Sequence, residues 1–212
     1  TSDLSMNFTS ALFQNNAKVT LPVPDGGSNF TSAQFLYNRG KIAIEAAVGS
    51  PASLVLTSAT FGGSSSGNKD IDVTVPSGDL EFDSSTWTNN QDVKITARKP
   101  EPRTVTSVSM TGHRNLELDL GETLTLVKTT LDINPAATIG WIKLPGTMAL
   151  TLTGGSPYSQ IRGNFDFGDL ASKRTSLTID AGSKIDASGK GFAGGGANTN
   201  GSGDPSSLGC GT

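Results

Sequence analysis

Five carboxylates stand where they could do chemistry. Asp70 and Asp72 alternate with Ile71, Val73 and Val75, and Asp79, Glu81 and Asp83 alternate with Leu80 and Phe82. In an extended strand alternate side chains share a face, so each segment presents a row of acids opposite an apolar row. If the two segments pair across the turn Pro76-Ser-Gly78, the acid rows meet. Such crowding needs solvent, a lysine or a hard cation to relieve it, and Ca²⁺ takes about six to eight oxygen ligands. Asp70, Asp72, Asp79, Glu81 and Asp83 are therefore the candidate Ca²⁺ ligands, and a solvated acidic face is the alternative. Neither the EF-hand spacing nor a GGxGxD nonapeptide is present. The set Asn164-x-Asp166-x-x-Asp169 is a weaker candidate, because Phe165, Phe167 and Gly168 read as a strand end and turn.

Other reactive side chains are sparse. His113, the one histidine, lies in Thr111-Gly-His-Arg-Asn115, which reads as a polar turn holding a solvated imidazole. It can join no multi-histidine metal site, and no acid is placed to orient it in a triad. Cys210 is alone, so a disulfide within these residues and a Cys/His zinc set are both excluded; it reads as a tail residue, or as half of a bridge to another chain or to sequence beyond this segment. Glycoside hydrolysis needs two opposed carboxylates, and no such pair is legible. Trp87, Trp141, Tyr37 and Tyr158 could stack on a sugar, although both tryptophans adjoin apolar strand residues, which suits core or half-buried roles. Asn7-Phe-Thr9 and Asn29-Phe-Thr31 are sequons, meaningful only in a secretory eukaryotic host.

The elements that must carry these residues are strands. Of 212 residues 34% are hydrophobic and 17% charged. The difference is made up by 26 glycines and by serine and threonine, 25 of each. That mixture predicts many short strands with hydroxyl-bearing outer faces and frequent turns. The formal charge of −3 lacks the basic stripe that nucleic acid requires. The densest basic group, Arg98, Lys99 and Arg103, is broken by Pro100 and Pro102 and reads as a charged linker. No apolar run approaches the length of a membrane-spanning helix, and no signal peptide stands at residue 1, as expected of a mature or excised segment.

Along the chain, apolar alternation predicts strands at 17–24, 41–48, 53–61, 71–75, 80–82 and 93–97, with a turn or short helix near Ser32. Residues 62–68 read as a loop. The prolines at 100 and 102 make about residue 100 the best boundary. Beyond it come pulses at 105–110, 116–120, 124–126, 131–133, 139–144, 148–152, 161–167, 177–179 and 185–187. Gly121 and Gly182 share apolar residues at −5, −3, +3 and +5, with Gly146 a looser relative. These spacings are irregular, and either a parallel β-helix with insertions or an antiparallel sandwich accounts for them.

The block from Ile71 to Lys99 resembles extracellular Calx-β-like and invasin-like sandwich modules in its order of strand, turn, aromatic strand, Trp-Asn-type corner and final strand. It departs in carrying Trp87-Thr-Asn-Asn90, where tryptophan usually follows asparagine. The segment 174–203 resembles the rungs and glycine-rich loops of large right-handed β-helix proteins of bacterial surfaces. Together these imply an all-β chain with a β-sandwich-like domain over 1–100, β-helix-like rungs or a second β-domain over 101–190, and a Gly/Ser/Asn-rich tail over 191–212. The expected function is a non-catalytic structural or adhesive module of an extracellular or cell-surface protein. Its expected partners are neighbouring domains, copies of itself or surface glycans, with no membrane insertion. Polysaccharide binding or degradation, and a viral or phage fibre or capsid role, are the alternatives.

Overall fold

A computed structural model describes residues 4–62, 68–98, 102–133, 140–166 and 176–186. The described residues wind through seven complete coils of three strands and the first two strands of an eighth. The coils are β1 (Met6–Asn7), β2 (Leu12–Gln14) and β3 (Val19–Val23); β4 (Ser28–Asn29), β5 (Gln34–Leu36) and β6 (Ile42–Ala46); β7 (Leu54–Val55), β8 (Thr60–Gly62) and β9 (Asp70–Thr74); and β10 (Leu80–Glu81), β11 (Thr86–Thr88) and β12 (Asp92–Thr96). They continue with β13 (Arg103–Thr106), β14 (Ser109–His113) and β15 (Asn115–Asp119); β16 (Thr123–Val127), β17 (Thr130–Ile133) and β18 (Trp141–Lys143); β19 (Ala149–Thr153), β20 (Gln160–Arg162) and β21 (Phe165–Asp166); and finally β22 (Ser176–Ile179) and β23 (Lys184–Asp186).

Every pairing is parallel and joins equivalent strands of successive coils, giving three faces. Face 1 holds two four-stranded sheets, β1-β4-β7-β10 and β13-β16-β19-β22. Face 2 is one eight-stranded sheet from β2 to β23, and face 3 a seven-stranded sheet from β3 to β21. The all-β class and the β-helix-like rungs are thus present, as a parallel solenoid, and the rungs begin at Met6. The first hundred residues, expected to resemble a sandwich, pair in parallel like the rest, and β12 pairs with both β9 and β15 across residue 100.

The core consists of columns. Face 2 directs Phe13, Phe35, Phe61, Trp87, Met110, Leu131, Ile161 and Ile185 inward in register. The first four rings stack, with centroids 4.6, 4.5 and 3.9 Å apart. Face 3 contributes Ile42, Ile71, Val93, Leu116 and Ile142 in one column and Ile44, Val73, Ile95 and Leu118 in another. At the last coil Leu177 and Ile179 continue the columns of Leu150 and Leu152, yet are 44% and 43% exposed.

One corner recurs with little change. Between faces 1 and 2 the chain passes through Ser10, Ser32, Ser58, Ser84, Ser107 and Lys128, all with φ between 51° and 58°. Each amide there donates to a carbonyl of the next coil, as Ser32 N does to Thr57 O at 3.0 Å and Ser58 N to Asp83 O at 3.1 Å. This corner cuts the expected strands 53–61 and 105–110 in two, and near Ser32 it is the expected turn rather than a short helix. It also explains both sequons: Asn7 and Asn29 Oδ1 each accept from the amide and hydroxyl of the threonine two residues on.

At the corner between faces 2 and 3 runs a row of buried amides. Asn38 Oδ1 accepts from Asn16 N and Nδ2, Asn68 Oδ1 from Asn38 N and Nδ2, and Asn90 Oδ1 from Asn68 N and Nδ2, all at 2.9–3.0 Å. Each Nδ2 of the last three also donates to a carbonyl of the preceding coil, at Phe13, Phe35 or Phe61. His113 follows Asn90. It is fully buried, not a solvated turn residue, and its Nδ1 lies 3.4 Å from Asn90 O.

Candidate functional site

Parallel in-register stacking places equivalent outward residues about 4.8 Å apart along the axis, so the outer surface is also made of columns. On face 3 alternation turns Ile71, Val93, Leu116 and Ile142 inward and leaves their neighbours outside. One outer column runs Asp70, Asp92, Asn115, Trp141, with Lys41 beside Asp70. The next runs Asp72, Lys94, Glu117, Lys143, alternating in sign. Like charges stacked in register repel, and this order puts an opposite charge above and below.

The charges close into pairs. Lys94 Nζ lies 2.8 Å from Glu117 Oε1, and Lys41 Nζ lies 2.9 Å from Asp72 Oδ2. These hydrogen bonds raise both ammonium pKa values above the ordinary lysine value. Arg114 grips Asp92 with two guanidinium hydrogen bonds, the Nε one at 2.9 Å, and Asn115 Nδ2 donates to Asp92 Oδ1 at 2.8 Å. Burial pushes the Asp92 carboxyl upward, but these bonds outweigh it and hold the pKa below the usual carboxylate value.

Between the two columns lies a groove of about 310 Å³ running from Lys41 to Trp141. Trp141 is half-buried, and the Lys143 ammonium stands 4.5 Å from its ring centroid, a cation–π contact. The groove therefore joins a flat aromatic surface to a grid of charge-neutralised polar groups. Asp92 is held ionised against a guanidinium, so its carboxyl is not poised as a proton donor.

The five predicted calcium ligands are divided between faces. Asp70 and Asp72 lie on face 3 and line the groove. Asp79, Glu81 and Asp83 lie on or beside β10 on face 1, so the pairing that would crowd the two rows does not form. Glu81 Oε1 accepts from Thr57 Oγ1 at 2.8 Å, and Asp83 Oδ1 from Thr106 N at 2.7 Å. Burial raises the Asp83 pKa above the usual aspartate value. Among the described residues no three or more His, Cys, Asp or Glu form a group able to hold a metal ion. The Asn164 side chain donates to Gly140 O at 3.0 Å. Asp169, Cys210, Lys99 and the tail 191–212 lie outside the described residues.

Of the candidate aromatics, Trp87 is in the core and Trp141 on the surface. The signal was present in Trp141-Ile-Lys143, where an apolar centre flanked by two amphipathic residues marks both flanks as outward. Lys94, Asn115 and Glu117 were missed, because only coil-to-coil register brings them together. Comparison of the chain with protein families, curated proteins and solved structures finds no match to any of them.

Proposed function

We propose that this chain is a non-catalytic structural and adhesive module of an extracellular or cell-surface protein, a stiff solenoid that presents face 3 to a hydroxyl-rich saccharide. Stiffness follows from columns that extend through consecutive coils: seven coil-to-coil steps of ~4.8 Å span ~34 Å, each held by backbone hydrogen bonds. The observation that carries the binding reading is Trp141, an accessible ring at the end of a groove whose lysines are paired with carboxylates. A sugar ring offers C–H groups to the indole face and hydroxyls to the partly exposed Asp92 carboxylate, without requiring a net charge on the ligand.

The experiment is titration of the purified chain with a panel of neutral and charged oligosaccharides, in parallel with Trp141→Ala. Binding to a neutral saccharide that falls at least tenfold in the variant, with an unchanged circular dichroism spectrum, supports the reading. Release of reducing ends that depends on Asp92 or Glu117 overturns it in favour of a polysaccharide-degrading enzyme. Absence of saccharide binding overturns the adhesive part.

A further inference from the structure

Three axial features change at one level, between the fourth and fifth coils. The stacked rings end at Trp87, whose in-register neighbour is Met110. The row of amides ends at Asn90 and continues as His113. On face 1 the backbone ladder stops: β10 pairs only with β7, and β13 only with β16. Two side-chain contacts and one backbone hydrogen bond bridge that gap. Arg103 Nη1 donates to Leu80 O at 2.5 Å, Thr106 N donates to Asp83 Oδ1 at 2.7 Å, and Ser84 N donates to Thr106 O at 2.9 Å. Faces 2 and 3 keep their ladders there, through β11–β14 and β12–β15.

We propose that this level is a joint at which the solenoid opens in acid, with the His113 imidazole as its trigger. An asparagine at this position supplies an Nδ2 donor to the carbonyl of the preceding coil and stays neutral at every pH. The imidazole supplies the donor through Nδ1, 3.4 Å from the carbonyl of Asn90, but its Nε2 is buried without a hydrogen-bond partner. A bare ring nitrogen is tolerable in that position. A protonated one adds both a charge and a donor with no acceptor, and such a group is costly to bury.

No charged side chain on the adjoining strands offsets it. Arg114, next to His113, is exposed in its pair with Asp92, Asp132 on β17 is paired with Arg162, and β11 carries no ionisable group. Desolvation accordingly lowers the His113 pKa to about 4. A folded value below the ordinary 6.5 means that opening takes up a proton. The closed joint is fully stable above about pH 6.5 and loses that stability as pH falls towards 4. Asp83, across the gap on face 1, has the opposite sign: its raised pKa favours the closed state as pH falls. Substituting His113 alone separates the two.

Trp87 reports on the joint directly, being fully buried at the end of the ring stack with its backbone against the imidazole. In a Trp141→Phe background it is the one tryptophan, and acrylamide quenching of the full chain is followed from pH 7.5 to 4 beside far-ultraviolet circular dichroism. Quenching that rises severalfold between pH 6.5 and 4 while the strand signal persists is the expected result. His113→Asn, which restores the amide row, should keep Trp87 protected through that range; His113→Gln carries the same test if the asparagine variant fails to fold. Trp87 exposure that coincides with loss of strand signal overturns the proposal, as does an unchanged midpoint in a folded His113 variant.

Discussion

Phe61 and Trp87 lie face to face, with ring centroids 3.9 Å apart and planes 11° from parallel. They close a row that begins at Phe13, and Trp87 Nε1 meets its hydrogen-bonding need within the core by donating to Ser85 Oγ at 2.8 Å. A large side chain so enclosed leaves a cavity when truncated. Trp87→Ala should destabilise the chain by ~3–5 kcal/mol, measured by urea unfolding, with Trp87→Phe retaining most of the lost stability because it keeps the stack.

Asn68 is the middle member of the amide row. Its Oδ1 accepts two hydrogen bonds from Asn38, and its Nδ2 donates to Phe35 O and Asn90 Oδ1. Asn68→Leu removes all of these while leaving the partners buried, at a cost of ~1–3 kcal/mol for each group left unsatisfied. The same leucine at Asn16, where the row starts, should cost less, since Asn16 supplies donors alone. Denaturant titrations of the two variants check the order.

Ser58 holds φ at 57° on an exposed corner. Ser58→Gly should leave stability within ~1 kcal/mol of the parent, because glycine adopts that region without strain but loses more entropy on folding. Ser58→Val should cost ~1–2 kcal/mol, as a β-branched residue is poorly accommodated there. Thermal unfolding of the pair separates backbone strain from any side-chain role.

Lys94 sits between Asp72 and Glu117 on the outer surface. Lys94→Glu places three carboxylates in succession. The pair with Glu117 is solvent-exposed and worth little alone, so the expected loss is ~1 kcal/mol, smaller at high salt. A second change, Glu117→Lys, restores opposite charges across that pair but sets a like charge against Lys143, so it should recover little of the loss. A double-mutant cycle at two salt concentrations makes the measurement.

The strands were legible and their partners were not. Apolar alternation located β9, β12, β15, β16 and β19 within a residue or two, because alternation reflects one buried face whatever lies beside the strand. It is blind to what pairs with what: an antiparallel hairpin and a parallel coil write the same local pattern. Register had to come from the repeat, whose length varies from 22 residues between Met6 and Ser28 to 21 between Arg103 and Leu124 and 27 between Leu150 and Leu177. Overlaying Gly121 on Gly182 matched different corners, since Gly121 leads from face 3 to face 1 and Gly182 from face 1 to face 2. The usable marker was Phe8-Thr-Ser-Ala-x-Phe13, repeated at Phe30–Phe35 and, with Leu56 leading, at Phe61; its threonines were read as parts of sequons. His113 was misplaced because a histidine flanked by Gly112 and Arg114 looks solvated until the amide row is seen to lead into it.

The alternating row on face 3 also governs what can be sensed from a distance. Asp72, Lys94, Glu117 and Lys143 sum to zero over each pair of coils, so the potential of that row oscillates along the axis and cancels a few ångströms out, inside the ~8 Å screening length of physiological salt. A ligand approaching the groove is neither drawn in nor turned away by this row. Its capture rests on contact, and the association rate at face 3 should be nearly independent of ionic strength.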